Sequence, residues 1–81
     1  MGRAGKALKQ VLIEYKISQN KLAIALDVRG SVVYRWFHEQ VDPTGDTIAQ
    51  IVRALRKLNP EAAELFVRLY LSELLEEEED T

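Results

Sequence analysis

The residues of this chain best suited to chemistry lie in one stretch, 18–36, where polar groups alternate with apolar residues at helical spacing. The apolar positions predict that one short helix packs across another, and they are Leu22, Ala23, Leu26, Val28, Val33 and Trp36. The residues left facing outward are Gln19, Arg29, Gly30, Ser31, Tyr34 and Arg35. Two helices in this arrangement form a helix-turn-helix, whose second helix fits the major groove of DNA.

The first helix of this pair is predicted over 19–26, after Ser18, whose hydroxyl is a favourable N-cap. A Glu or Gln at position 21 would complete a capping box, but the chain has Lys21 there. The helix dipole disfavours a cation near a helix N-terminus, and a nearby phosphate would offset that cost. Lys21 is therefore a candidate phosphate contact.

The second helix is predicted over 30–37, after a turn at 27–29. Arg29 stands where a Ser or Thr cap is expected, so Ser31 is expected to cap the helix one residue late. Gly30 is a poor helix former, but a glycine lets the backbone approach a phosphate or a base edge closely. Trp36 is expected to anchor the core. No base is spaced to make Ser31 a nucleophile.

Three further helices are predicted from apolar residues at i, i+3, i+4 and i+7. The first spans 6–16, after a frayed lead-in over 2–5, and its apolar face is formed by Leu8, Val11, Leu12 and Tyr15. The fourth helix spans 46–58, with Thr44 as its N-cap. Asn59 and Pro60 end that helix and begin the last one, which is predicted over 61–76.

The last helix is apolar over a wider arc than one packed face requires, and a small monomer does not leave such an arc exposed. One side is expected to cover the core and the other to meet a partner, most simply a second copy. The predicted dimer interface comprises Phe66, Leu69, Tyr70 and Leu74. The acidic run 76–80 is read as a solvated, frayed end; the alternative is a self-inhibiting tail that competes with DNA.

Length and composition limit the classes of protein that fit. The chain has 81 residues, 47% hydrophobic, with no cysteine and one histidine, which suits one small domain without disulfides or a metal site. No long apolar run opens the chain, so a cytoplasmic, nucleoid-associated protein is expected. The net charge is −2, but residues 1–60 carry a balance of +5 and residues 61–81 a balance of −7. DNA would meet the basic body.

With these residues in view, the chain resembles the Cro/CI-type (XRE, lambda-repressor-like) helix-turn-helix family between about Leu8 and Leu58. The residues that carry the resemblance are Ser18, Gln19, Leu22, Ala23, Leu26, Val28, Ser31, Val33, Arg35, Trp36, Pro43, Thr47, Ile48, Ile51 and Leu55. The resemblance implies an all-α, compact bundle of about five helices. It also implies a transcriptional regulator that binds operator DNA as a dimer. Asp27 departs from the family, which often has a glycine in this turn.

The resemblance also implies roles for individual residues. Gln19 occupies the polar position that meets a phosphate, while Gly30, Ser31 and Arg35 occupy the positions that reach base edges. Arg35 would be the main specificity carrier, because a guanidinium bridges guanine O6 and N7. The other implied contacts are Arg29 and Tyr34 close to the backbone and Val32 on a thymine methyl. His38 is a possible phosphate contact, and a plain surface position is the alternative.

The sequence thus predicts a single domain, with a helix-turn-helix core over 1–58 and a C-terminal helix with an acidic tail over 59–81. We expect a homodimer that binds double-stranded DNA sequence-specifically and regulates transcription. The alternative is a protein-interaction or antitoxin-like module that holds a protein partner with the apolar last helix. No catalytic motif, cofactor site or membrane segment is indicated.

Overall fold

The computed structural model describes residues 3–79 of the chain, with side chains over 3–72. Five helices follow one another, and their bounds are α1 Arg3–Glu14, α2 Gln19–Leu26, α3 Gly30–Phe37, α4 Gly45–Leu58 and α5 Pro60–Glu79. The predicted all-α class and the bounds predicted for α2 and α3 are confirmed. The acidic run was predicted to be a frayed end, but α5 continues through Glu79; Asp80 lies outside the described residues.

The five helices enclose one apolar core. α1 packs against α3 and α5, α2 against α3 and α4, and α4 against α5. The largest fully buried side chains are Leu8, Val11, Leu22, Val33, Ile51, Leu55 and Phe66. Trp36, with 6% of its surface exposed, joins them from α3, as its spacing predicts. The helix-turn-helix is therefore held from behind by α1 and α4, which pack on α5 in turn, and its outer side is left free.

In three of the helices, a side-chain oxygen of the residue just before the helix caps its N-terminus. Ser18 Oγ accepts from the Lys21 N–H at 3.0 Å, and Thr44 Oγ1 accepts from the Thr47 N–H at 3.4 Å. At the start of α5, Asn59 Oδ1 accepts from the Glu61 N–H at 3.0 Å. Each bond satisfies an N–H group that has no partner within its helix. The N-caps predicted at Ser18 and Thr44 are confirmed.

The lead-in predicted over residues 2–5 is wrong where the structure describes it, because α1 already begins at Arg3. Its Gly5 N–H donates to Asp42 Oδ1 at 3.1 Å, so a carboxylate from the α3–α4 loop caps the first turn. A Cβ added at Gly5 would lie 2.5 Å from the backbone oxygen of Trp36. Only a glycine lets α1 approach α3 this closely. Hydrophobic periodicity carries no sign of such a contact.

The first three helices all end with a non-glycine residue in the left-handed conformation. These residues are Lys16, Asp27 and Glu39, with φ values of 55°, 59° and 58°. In each case the following N–H bonds a carbonyl five residues back: Ile17 to Leu12, Val28 to Ala23 and Gln40 to Arg35. This is the Schellman ending, in which glycine is the usual residue. Asp27 thus adopts the conformation for which the family often uses glycine.

Replacing Lys16 with glycine is expected to stabilise the protein by about 1 kcal/mol, because a side chain in the left-handed region is strained and glycine is not. Lys16 is exposed, so few packing contacts are lost. Urea unfolding followed by Trp36 fluorescence measures the change. The matched control is Lys6→Gly within α1, which should destabilise by about 1 kcal/mol. Equal effects of the two changes would contradict this account of Lys16.

In the structure, the apolar residues of α5 lie on two sides of the helix, one against the core and one facing outward. Phe66 is fully buried in the chain's own core, and Leu69 and Tyr70 are partly buried against that core. Placing Phe66 in a dimer interface was therefore wrong, since it has no surface to offer a second copy. On the other side Val67 is partly buried and Leu71 is 49% exposed. The side chain of Leu74 lies outside the described residues.

No helix in the described part of the chain is long and apolar enough to cross a membrane.

Candidate nucleic-acid interface

The outer face of α3 carries a continuous row of exposed polar residues. Ser31, Tyr34, Arg35 and His38 are exposed and recur at the spacing of one helix face, with Gly30 on the same side. The row offers a hydroxyl, a phenol, a guanidinium and an imidazole, and none of these side chains is committed to the core. These are groups that bond phosphates and base edges.

The opposite face of α3 fixes the direction of this row. Val33 is fully buried and Trp36 nearly so, and these two side chains set the rotation of the helix about its axis. Val32 also packs against the core and is partly buried, to one side of the exposed row. Val32 therefore offers less surface to DNA than the exposed row does, and its contact with a thymine methyl stays a prediction.

The N-terminus of α3 is open. Arg29 is the N-cap, with φ −72° and ψ 148°, and its side chain makes no capping hydrogen bond. Ser31 lies inside the helix, so the prediction that it caps α3 one residue late is wrong. No atom approaches within 4 Å of a Cβ built on Gly30, which leaves the first turn accessible. An exposed helix N-terminus of this kind attracts an anion such as a phosphate.

Aromatic contacts hold the C-terminal end of the row. The His38 ring lies against Tyr34, with centroids 4.2 Å apart, and meets the Phe37 ring edge-on at 5.2 Å. Phe37 is partly buried, and the Lys9 Nζ from α1 lies 5.7 Å from its ring centroid. The cation–π contact places the Lys9 ammonium beside the end of the exposed row. Lys9 was missed at the sequence level, because only the packing of α1 on α3 brings it there.

Two predicted contacts lie on α2, which packs across α3. Gln19 is the first residue of α2 and is partly buried, while Lys21 is exposed two residues later. The Lys21 backbone N–H bonds the Ser18 hydroxyl, and its exposed side chain can extend the ammonium away from the helix. Five of the nine predicted DNA contacts thus share the α3 face; Arg29 precedes it, Gln19 and Lys21 lie on α2, and Val32 is partly buried beside it.

Comparison with known proteins gives one match. The sequence profile of the helix-turn-helix family matches residues 8–61, two thirds of the chain. The matched region begins in α1, contains all of α2, α3 and α4, and ends at the start of α5. No curated protein and no solved structure matched the chain significantly.

Proposed function

The chain belongs to the helix-turn-helix family of the Cro/CI (XRE) type, a family of DNA-binding transcription regulators, and on that premise we propose that it binds double-stranded DNA as a homodimer. In this proposal α3 enters the major groove and reads a specific sequence. The observation that carries it is the exposed row Gly30, Ser31, Tyr34, Arg35 and His38, which the buried Val33 and Trp36 hold in a fixed direction.

Within the groove, Arg35 is proposed to read guanine. A guanidinium donates to O6 and N7 together, and each such pair discriminates against a wrong base by about 1–3 kcal/mol. Ser31 would bond a neighbouring base edge, and Gly30 would let the backbone of α3 come close to the DNA. Tyr34 and His38, whose rings are in tilted contact, would contact the sugar-phosphate backbone with restricted side-chain freedom.

The phosphates are proposed to supply most of the affinity. Gln19 at the start of α2, Lys21, Arg29 and the Lys9 ammonium beside Phe37 would contact them around the reading helix. The N-terminus of α3, which has no side-chain cap from Arg29, would favour one further phosphate through its first-turn N–H groups. These contacts carry no sequence information but fix the register of the protein on the duplex.

The dimer is proposed to form through the outward side of α5, around Val67 and Leu71. Leu71 is half-exposed, and Val67 lies one turn before it on the same stripe. Covering this stripe with a second copy removes apolar surface from water. A two-fold dimer would place its reading helices in successive major grooves, about 34 Å apart, on an inverted-repeat site.

Salt dependence tests whether the protein binds DNA through phosphate contacts. We expect anisotropy of a labelled, mixed-sequence duplex to rise with protein concentration at about 50 mM salt. The affinity should fall by 10³-fold or more at about 200 mM if roughly six or more phosphates are contacted per dimer. A labelled duplex of peptide nucleic acid with the same sequence, which has no phosphates, is the control. Failure to bind the natural duplex even at low salt would contradict the proposal.

A protein-binding role is the alternative, and one observation favours it. Ile24 on α2 is 70% exposed and Ile13 on α1 is 62% exposed, and a protein partner would remove this apolar surface from water. The salt titration separates the two functions, because a protein-interaction module has no reason to bind a duplex steeply and salt-dependently.

A further inference from the structure

A hollow of about 520 Å³ runs between the C-terminal half of α4 and the N-terminal half of α5. Its apolar part is formed by Val52, Pro60, Ala63 and Val67, and its charged part by Arg56, Arg68 and Glu64. We call it the α4–α5 groove. Arg56 and Arg68 are both exposed, so their guanidinium groups remain available to a ligand.

The groove continues the outward stripe of α5 on which the proposed homodimer rests. Val67 lines the groove and Leu71 follows one turn later with 49% of its surface exposed. The apolar side of α5 and the two arginines therefore form one surface. An occupant that fits it needs an apolar stripe followed by negative charge, and the chain carries that pattern in its own residues 67–80.

We propose that the α4–α5 groove receives the acidic segment 76–80 of a second copy, with the two α5 helices packed antiparallel. This inference rests on the proposed homodimer and specifies its geometry. Because a two-fold interface is isologous, each copy would give its acidic segment to the other and receive one in return. Arg56 and Arg68 would then face Glu and Asp residues at both ends of the helix pair.

The segment cannot reach the groove of its own chain. α5 is a continuous helix from Pro60 to Glu79, and a helix rises 1.5 Å per residue, which separates these two residues by roughly 28 Å. The groove lies at the Pro60 end. An intramolecular contact would require α5 to break, whereas an antiparallel neighbour brings its C-terminal end to that place without any change.

The register of such a pair follows from the helix itself. A two-fold axis near Leu71 pairs this residue with its copy and sets position 78 of one helix level with position 64 of the other. Glu64 lies at that level and has the same charge as Glu78 of the other helix. The two positive charges of Arg56 and Arg68 exceed this one negative charge around the groove. The acidic residues within 61–81 would thereby contact the arginines of the other copy in the dimer. The exposed face of α3 is left free for DNA.

Reversing the charge of either the groove or the acidic segment is expected to weaken the dimer. In the double variant Arg56→Glu and Arg68→Glu, the groove and the segment 76–80 are both acidic. Replacing Glu76, Glu77, Glu78 and Glu79 with lysine makes the groove and the segment both basic. Sedimentation velocity should show each variant alone with a dimer dissociation constant at least about tenfold higher than the parent, given that like charges now oppose. Circular dichroism checks that both remain folded.

Mixing the two variants decides between an exchange of segments and a general charge effect. In the mixed dimer, each basic segment meets an acidic groove and each acidic segment a basic one, so heterodimers should form at close to the parent affinity. The control variant Arg53→Glu with Lys57→Glu reverses two charges on α4 that do not line the α4–α5 groove. Both residues line a hollow against α2, and a further hollow together with Arg56. It should shift the dissociation constant by less than about threefold.

The outcomes distinguish this inference from the proposal on which it rests. A dimeric parent with no gain on mixing, or a control variant that dissociates as readily as the groove variant, overturns the exchange and leaves the homodimer standing. A parent that is monomeric at every concentration overturns the homodimer together with the exchange. DNA binding by the parent, measured separately by anisotropy, shows whether the reading helix functions in either case.

Discussion

Replacing Arg35 with glutamate is expected to lower affinity for a specific DNA site by at least about 100-fold. Each protomer loses a bidentate guanine contact of about 1–3 kcal/mol, and the introduced carboxylate is repelled by the phosphates. Arg35 is exposed and lies in the last turn of α3, so the free energy of unfolding should change by less than about 1 kcal/mol. Anisotropy with a selected site and urea unfolding measure the two quantities.

Two control variants make this result specific to base reading. Arg53→Glu changes the same charge at an exposed position on α4, and it should leave DNA affinity within about threefold. Arg35→Lys keeps the charge but loses the forked donor geometry, so specific affinity should fall more than non-specific affinity. A variant that unfolds would show that Arg35 is structural. A folded Arg35→Glu variant that binds the site as well as the parent does would show that α3 does not read DNA through this residue.

Replacing Gly5 with alanine is expected to destabilise the fold by about 2–3 kcal/mol, a large share of the stability of a small domain. The added Cβ would lie 2.5 Å from the Trp36 backbone oxygen, and backbone cannot rotate aside as a side chain does. α1 must then move away from α3, which also weakens the bond from the Gly5 N–H to Asp42. The intrinsic helix preference of alanine, about 1 kcal/mol, is smaller than this cost.

The matched control is Gly45→Ala at the first residue of α4, where no atom lies within 4 Å of the new Cβ. It should change stability by less than about 0.5 kcal/mol. Trp36 is the only tryptophan and is nearly buried, so its fluorescence reports urea unfolding of both variants. Equal stability of the two variants would show that α1 and α3 are not in tight backbone contact.

The sequence predicts those features of the fold that depend on local patterns. The bounds of α2 and α3 follow from apolar spacing and the Ser18 cap, and α4 begins one residue earlier than predicted because its first turn includes Gly45. The buried state of Trp36 follows from the same spacing. In these cases neighbouring residues carry all the information that the prediction needs.

The errors concern contacts between elements distant in sequence. The role of Gly5 depends on the backbone of Trp36, and the position of Lys9 depends on Phe37. Phe66 was assigned to an interface because α5 is apolar on several sides, and periodicity alone cannot tell which side its neighbours cover. The packing of α5 on α1 and α4 turns Phe66 inward and leaves Leu71 outside.

The same reasoning applies to the candidate site. The exposed row on α3 could be predicted because a helix-turn-helix fixes which positions face outward. The structure shows the row as expected, with exposed Ser31, Tyr34, Arg35 and His38. Val32 lies near the border of that face, where a small rotation of the helix decides between groove and core. That rotation is set by how Val33 and Trp36 pack, which no local pattern specifies.

The most direct test of the central claim, that α3 reads the major groove of DNA in a dimer, is guanine methylation interference on a duplex selected from a random pool. N7 of guanine lies in the major groove, so its methylation should block binding at guanines in two inverted half-sites, with centres about 34 Å apart. Arg35→Glu should abolish selection of that site. If the folded protein enriches no sequence, or if N7 methylation leaves binding unchanged throughout the site, the claim is contradicted.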